Sequence, residues 1–222
     1  MAVDNEQGAT SDTVKHHVPP TAGNLAMWLF LIALGVLFAA SLLGYLLVNA
    51  RMRQPRPILL DGEWGMLARE VPPIHLPPIL WLSTIIMIFS SLAVHRALVH
   101  IRHKRHSAMR RWITITLLAA IMFVAVQTPS MYVLIGEHMA QLPPVPSLDK
   151  PAFATFGLIA VLIAIHALHV LGGIVPLAVV RHRANRGHYD HEDHGPVHYL
   201  AMYWHFLDVV WLVMFATLLL SQ

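Results

Sequence analysis

Five uninterrupted apolar stretches, each long enough to cross a lipid bilayer, constrain this chain more than any other feature of its sequence. They run roughly from Asn24 to Asn49, Ile74 to Val99, Trp112 to Ile135, Phe153 to Val180 and His198 to Leu220. A helix rises about 1.5 Å per residue and the hydrocarbon core is about 30 Å thick, so about 20 apolar residues span it. The stretches hold no Lys or Arg except Arg96, near one end, and a single deep acid, Asp208. Lipid offers no partner to a bare N–H or C=O, and a helix pairs these groups within one segment. The expected fold class is therefore all-α, an integral membrane bundle of five transmembrane helices at residues 23–222. Residues 1–22 are polar, with Asp4, Glu6, Asp12 and the run His16, His17, Pro19, Pro20. Such a segment buries too little surface to fold alone and is expected to be a mobile tail.

Composition narrows the function classes. Hydrophobic residues make up 56% and charged residues 12% of the 222, and mean hydropathy is +0.58. The absence of cysteine removes disulfides, thiolate metal sites and cysteine nucleophiles. A pI near 9.5 would fit a nucleic-acid partner, but the basic residues gather in short loops between spans, where membrane orientation requires them. No nucleic acid is expected. The first span lacks a preceding basic region, exceeds the length of a signal segment and has no small-residue cleavage pattern after it, so it reads as a retained helix.

Five spans place the N-terminus with the second and fourth loops, and the C-terminus with the first and third. The former side holds Lys15, Arg96, Arg102, Lys104, Arg105, Arg110, Arg111, Arg181, Arg183 and Arg186. The latter holds Arg51, Arg53, Arg56, Arg69 and Lys150, partly offset by Asp61, Glu63, Glu70 and Asp149. The positive-inside rule then puts the N-terminus inside and the C-terminus outside. Pro55, Pro57, Pro72, Pro73, Pro143, Pro144 and Pro146 mark the first and third loops as helix-stopping, extended or turn segments.

Sixteen histidines invite a metal or haem reading. His166 and His169 share one face of the fourth span and are followed by Gly172 and Gly173. In the fifth span His205 and Asp208 share a face, while Trp204, Asp208 and Trp211 form a second stripe. An intramembrane Asp costs about 2.5 to 3.5 kcal/mol on insertion scales and calls for a partner or a function. His169 and Asp208 both lie about 15 to 16 Å from the inner ends of their spans, and the glycine pair would allow close approach, so an interhelical His169–Asp208 bond is expected. Its alternative is a proton-linked or redox site, which would need further intramembrane carboxylates. The loop containing His188, His191, His194 and His198 with Asp190, Glu192 and Asp193 is dense enough to chelate zinc or copper, but its irregular spacing fixes no geometry. The alternative there is a solvated polar loop. His95, His100, His103 and His106 sit among the basic residues of the second loop, a cationic surface facing anionic headgroups. His166 and His205 lie at different depths, so they do not form an axial haem pair.

Tyr203-Trp204-His205-Phe206-Leu207-Asp208-Val209-Val210-Trp211 resembles the last-helix signature of subunit III of cytochrome c and quinol oxidases. His166-Ala167-Leu168-His169-Val170 before Gly172 and Gly173 is similar to that family's His-Gly-Leu-His-Val run. Ser83, Thr84, Ser90, Ser91, His95 and Ala97-Leu98 resemble its second-span positions, with weaker agreement at Trp28-Leu29-Phe30, Phe123 and Gln127. The resemblance implies the five-helix bacterial short form, beginning inside and ending outside. It also implies a non-catalytic subunit without haem, copper or other metal of its own. Haem and copper would belong to partner subunits, subunit I would be in direct contact and subunit II in the same complex. Bound phospholipid and a bacterial plasma-membrane location follow from the same resemblance, as does support of proton uptake during oxygen reduction. Leu34 and Ser130 stand where the family usually carries carboxylates, a departure that bears on any role of those acids. Rival readings are the accessory membrane subunit of a nitric oxide reductase, a histidine-rich metal transporter or storage protein, and an oxidase assembly factor.

Reporter fusions test the orientation: fusions at the N-terminus and at Arg105 are expected to report the cytoplasmic side and a fusion at the C-terminus the outer side, and an exported Arg105 fusion would overturn it.

Overall fold

In a computed structural model, described over residues 20–60, 63–67, 78–141, 151–186 and 195–220, the chain forms five long helices. They are α1 (Pro20–Arg53), α2 (Ile79–Arg102), α3 (His106–Gln141), α4 (Pro151–Asn185) and α5 (Gly195–Leu220). Each contains a window long and apolar enough to cross a membrane, as expected of a multi-pass membrane protein. The ends differ from the apolar stretches for local reasons. Proline suits the first turn of a helix, whose N–H groups have no intrahelical acceptor, and α1 and α4 begin at Pro20 and Pro151. Helix α1 therefore takes in residues 20–22, assigned above to the tail, and the rest of that tail lies outside the described residues. Pro77 and Pro78 precede α2, which starts at Ile79 rather than Ile74.

The first connection departs from an all-helical chain. Strands β1 (Arg56–Leu60) and β2 (Glu63–Leu67) pair antiparallel in a register from Arg56↔Leu67 to Leu60↔Glu63. The signal was in the sequence: Asp61-Gly62 between two apolar runs is the strongest two-residue hairpin pattern, whereas the prolines alone read only as a stop. The prolines of 72–73 and 143–146 lie outside the described residues.

The second connection is shorter than its charge run implied. Only His103, Lys104 and Arg105 separate α2 from α3, and most of the basic residues ride on helix ends. The turn closes as a Schellman motif, with Lys104 N–H bonded to Ile101 O at 3.0 Å and Arg105 N–H to His100 O at 2.9 Å. Lys104 takes the left-handed position at φ 57°, which glycine normally fills. This tight turn lays α2 against α3 along their length.

Helices α2, α3, α4 and α5 form a closed ring of neighbours, each packed on the next, with α5 returning to α2. Helix α1 stands outside the ring on α4 and α5 and, among the described residues, approaches neither α2 nor α3. Toward the α2–α3 turn the core is built by Val94, Ala97, Ile101, Ile113, Leu177, Val197 and Trp204. Phe38, Tyr45, Ile163 and Met214 join α1 to α4 and α5, and Met87, Phe123, Val170, Leu207 and Trp211 fill the ring centre. Outward-facing positions are apolar, including Leu29, Ile85, Leu118, Leu168 and Val175.

A left-handed residue with a side chain costs about 1 to 2 kcal/mol. Lys104→Gly is therefore expected to raise the thermal midpoint of the purified protein, and a lowered midpoint would show that the Lys104 side chain is needed where it stands.

Candidate functional site

The residues singled out in the sequence come together at two seams, where α5 meets α2 and where α5 meets α4. Trp204 and Trp211 lie two turns apart on α5 and are buried. The Trp204 indole N–H donates to Ser90 Oγ at 2.8 Å, and the Trp211 indole N–H donates to Thr84 Oγ1 at 3.0 Å. Thr84 is itself held in place, its hydroxyl donating to Leu80 O at 2.8 Å. One turn toward the edge of the same seam, Ser91 Oγ lies 2.6 Å from His205 Nδ1, with the Asp208 carboxylate close by. His95, one turn further along α2, has its ring centre 5.9 Å from that of His205. Thr84, Ser90 and Ser91 entered the sequence reading only as points of resemblance. Hydroxyl residues six apart on α2, opposite two tryptophans seven apart on α5, were the signal that marks Thr84 and Ser90 as partners.

At the α4 seam, Gly173 is the close-approach position. A Cβ there would stand 2.8 Å from Tyr203 Cε1 and 3.0 Å from Trp204 Cζ3. Tyr203 lies across this gap and donates its hydroxyl to His169 O at 2.8 Å. Gly172, expected to share this role, has nothing within 4 Å of an added Cβ. Phe206, partly buried beside α1, would meet an added Cβ on Gly35 at 3.6 Å, an ordinary contact.

The expected His169–Asp208 bond is not formed. His169 Nδ1–H donates to Ile165 O at 2.7 Å in its own helix, and its ring packs on Phe38 at 5.3 Å. Equal depth was read correctly, but depth does not fix direction around a helix. Tyr203, Trp204 and Gly173 fill the α4 seam and turn Asp208 toward α2.

His166 is buried at 1% exposure, with ring centres of Trp211 at 5.3 Å, Phe38 at 6.1 Å and Phe123 at 6.3 Å. Neither ring nitrogen has a hydrogen-bond partner among the described residues. These residues do not fit a haem. The aromatic rings close around the imidazole, and His205 is engaged by Ser91. Among the described residues no three His, Asp or Glu side chains group as metal ligands, and the histidine loop 188–194 lies outside them. Leu34 is buried in the α1–α4–α5 core, and Ser130 is buried with its hydroxyl donating to Val126 O at 3.0 Å. Both positions where the family usually has acids are thus enclosed.

The arrangement fastens helices. Interhelical polar bonds in membranes average about 0.6 kcal/mol in double-mutant cycles, with a maximum near 1.7. A cycle of Thr84→Val and Trp211→Phe, read by thermal denaturation in detergent, is expected to give a coupling of about 0.6 kcal/mol. Zero coupling would remove the bond from the account of the seam. Gly173→Leu, which drives a side chain into Tyr203 and Trp204, is expected to cost more, about 1 to 3 kcal/mol as overpacking does.

Relatives match nearly the whole chain in sequence. A protein described as cytochrome c oxidase subunit 3 from Thermostichus vulcanus is 30% identical over 215 residues, covering 96% of this chain and 94% of the relative. One of the same description from Synechocystis is 29% identical over 201 residues, covering 90% of this chain and 76% of the relative. Subunit 3 of the cytochrome bo(3) ubiquinol oxidase of Buchnera aphidicola is 21% identical over 217 residues, covering 98% and 93%. The family described as "Cytochrome c oxidase subunit III" matches residues 6–221, and with its two seams and five spans the chain belongs to that family.

Proposed function

We propose that this chain is the non-catalytic subunit III of a haem-copper terminal oxidase in a bacterial plasma membrane. The observation that carries the reading is what the chain's polar residues do. The indole, phenol and imidazole groups of Trp204, Trp211, Tyr203 and His205 fasten α5 to α2 and α4, most other intramembrane hydroxyls bond within their own helices, and relatives that match nearly the whole chain are named as subunits of oxidases. That naming favours an oxidase over a nitric oxide reductase accessory subunit, a metal transporter or an assembly factor. The oxygen-reducing haem and copper sit in partner subunits, with subunit I in direct contact and subunit II in the same complex. Phospholipid covers the apolar outer faces. The chain supports oxygen reduction coupled to proton translocation by supplying a rigid membrane body beside the subunit that carries protons.

Purification through a tag on this chain is expected to recover haem-bearing partner subunits with a Soret band. The isolated chain is expected to show none. A Soret band proportional to the isolated chain would overturn the non-catalytic reading. Asp208→Asn keeps the side chain's size and an acceptor oxygen beside Ser91, so the assembled complex is expected to keep its turnover and proton stoichiometry. An assembled complex that turns over without pumping would place Asp208 in a proton path instead.

A further inference from the structure

Helices α1 and α2 both pack on α5 but, among the described residues, do not approach one another, so α5 forms the floor of a trough between them. On the α1 side the trough is a groove of about 550 Å³ lined by Trp28, Ile32 and Gly35 opposite Met202, His205 and Val209. On the α2 side the floor carries the row His95, His205, Ser91 and Asp208. His205 and Asp208 lie about 15 and 20 Å along α5 from Gly195, and His95 about 10 Å from the end of α2, which sets the row well within the spans.

We infer that this trough receives a transmembrane helix of a partner oxidase subunit, one that presents a hydroxyl or amide side chain level with His205 and Asp208. The polar row is confined to this face. Between Trp112 and Met131 on α3 and between Gly157 and Val180 on α4, the only ionisable residues are His166, buried, and His169, partly buried and bonded to Ile165. The exposed faces there are apolar at Leu118, Ile121, Leu168 and Val175, as contact with lipid requires. The trough differs: His95 is exposed and His205 and Asp208 are half-buried, with one Asp208 oxygen enclosed and without a hydrogen-bond partner among the described residues. An acyl chain offers neither donor nor acceptor, so lipid against this row would leave it unsatisfied. A second copy of this chain seated by two-fold symmetry would set Asp208 against Asp208 at one depth, like charge facing like. A helix with a hydroxyl or amide can donate to Asp208 and accept from an imidazole, while its apolar surface fills the groove beside Trp28 and Ile32.

The inference rests on the chain being a subunit of a larger oxidase, and the test separates the two. The chain has no cysteine, so single substitutions can carry a thiol-anchored photo-cross-linker in the native complex. Ile32→Cys and Val209→Cys mark the trough, and Leu118→Cys and Leu168→Cys mark the opposite faces. All four positions are exposed. The expected result is a cross-link to another oxidase subunit from both trough positions and none from the controls. In the Val209→Cys background, Asp208→Asn is expected to keep that adduct and Asp208→Leu to lose it. An adduct of the chain with itself, adducts to phospholipid alone, or equal labelling from controls would overturn the docking face. An adduct that survives Asp208→Leu would overturn the role of the polar row. If tag purification recovers haem subunits and the trough cross-links to none of them, the docking face fails while the proposed function stands. If no haem subunit is recovered, the proposed function itself fails.

Discussion

Inside a bilayer, apolar side chains gain nothing by leaving lipid for protein, so helices must be joined by close packing and by polar groups that find each other. In this chain the two indole N–H groups of α5 meet that requirement. Trp204 on Ser90 and Trp211 on Thr84 set both the rotation and the register of α5 against α2, because a slide or turn of one residue would bury an indole N–H with no acceptor. The rest of the arrangement depends on this fixed pose. With Trp204 turned inward, its ring and that of Tyr203 lie against Gly173, and α4 can come no closer or turn. With Trp211 inward, its ring and Phe123 close around His166. What is left of the α5 circumference, His205 and Asp208, falls at the edge shared with α2.

The five spans were legible because length and apolarity alone decide them, and the membrane removes alternatives such as open sheets. Helix ends were less legible. Hydropathy marks where a segment leaves lipid, whereas Pro20, Pro78 and the Lys104 turn mark where the helical backbone begins and stops, and the two differ by several residues. The hairpin of 56–67 was missed because prolines were weighed and the Asp61-Gly62 pair was not.

At the site, residue identity and depth could be read, but azimuth could not. His169 and Asp208 were matched by height alone, and the partner choice turned on which face of α5 its largest side chains claimed first. Small hydroxyl residues carry little weight in a sequence until something large is known to lie opposite them, which is why Thr84 and Ser90 were not recognised as acceptors. Gly172 and Gly173 were likewise indistinguishable until one proved to lie under Tyr203 and the other to face open space.

The peripheral place of α1 has a consequence for how the chain is made. Of the five described helices it is the first to leave the ribosome, yet its contacts are with α4 and α5, which are made after α2 and α3. Helices α2 and α3 can pair at once through their three-residue turn, while α1 must wait in the bilayer as a lone helix. Its evenly apolar surface suits that wait, since Leu25, Leu29, Val36, Leu43 and Leu47 stay outward in the finished bundle. Its docking is then a closing step governed by contacts distant in sequence, which pay loop-closure entropy late. A chain truncated before α5 would hold its first helix in lipid without the neighbour on which Gly35 and Phe206 meet.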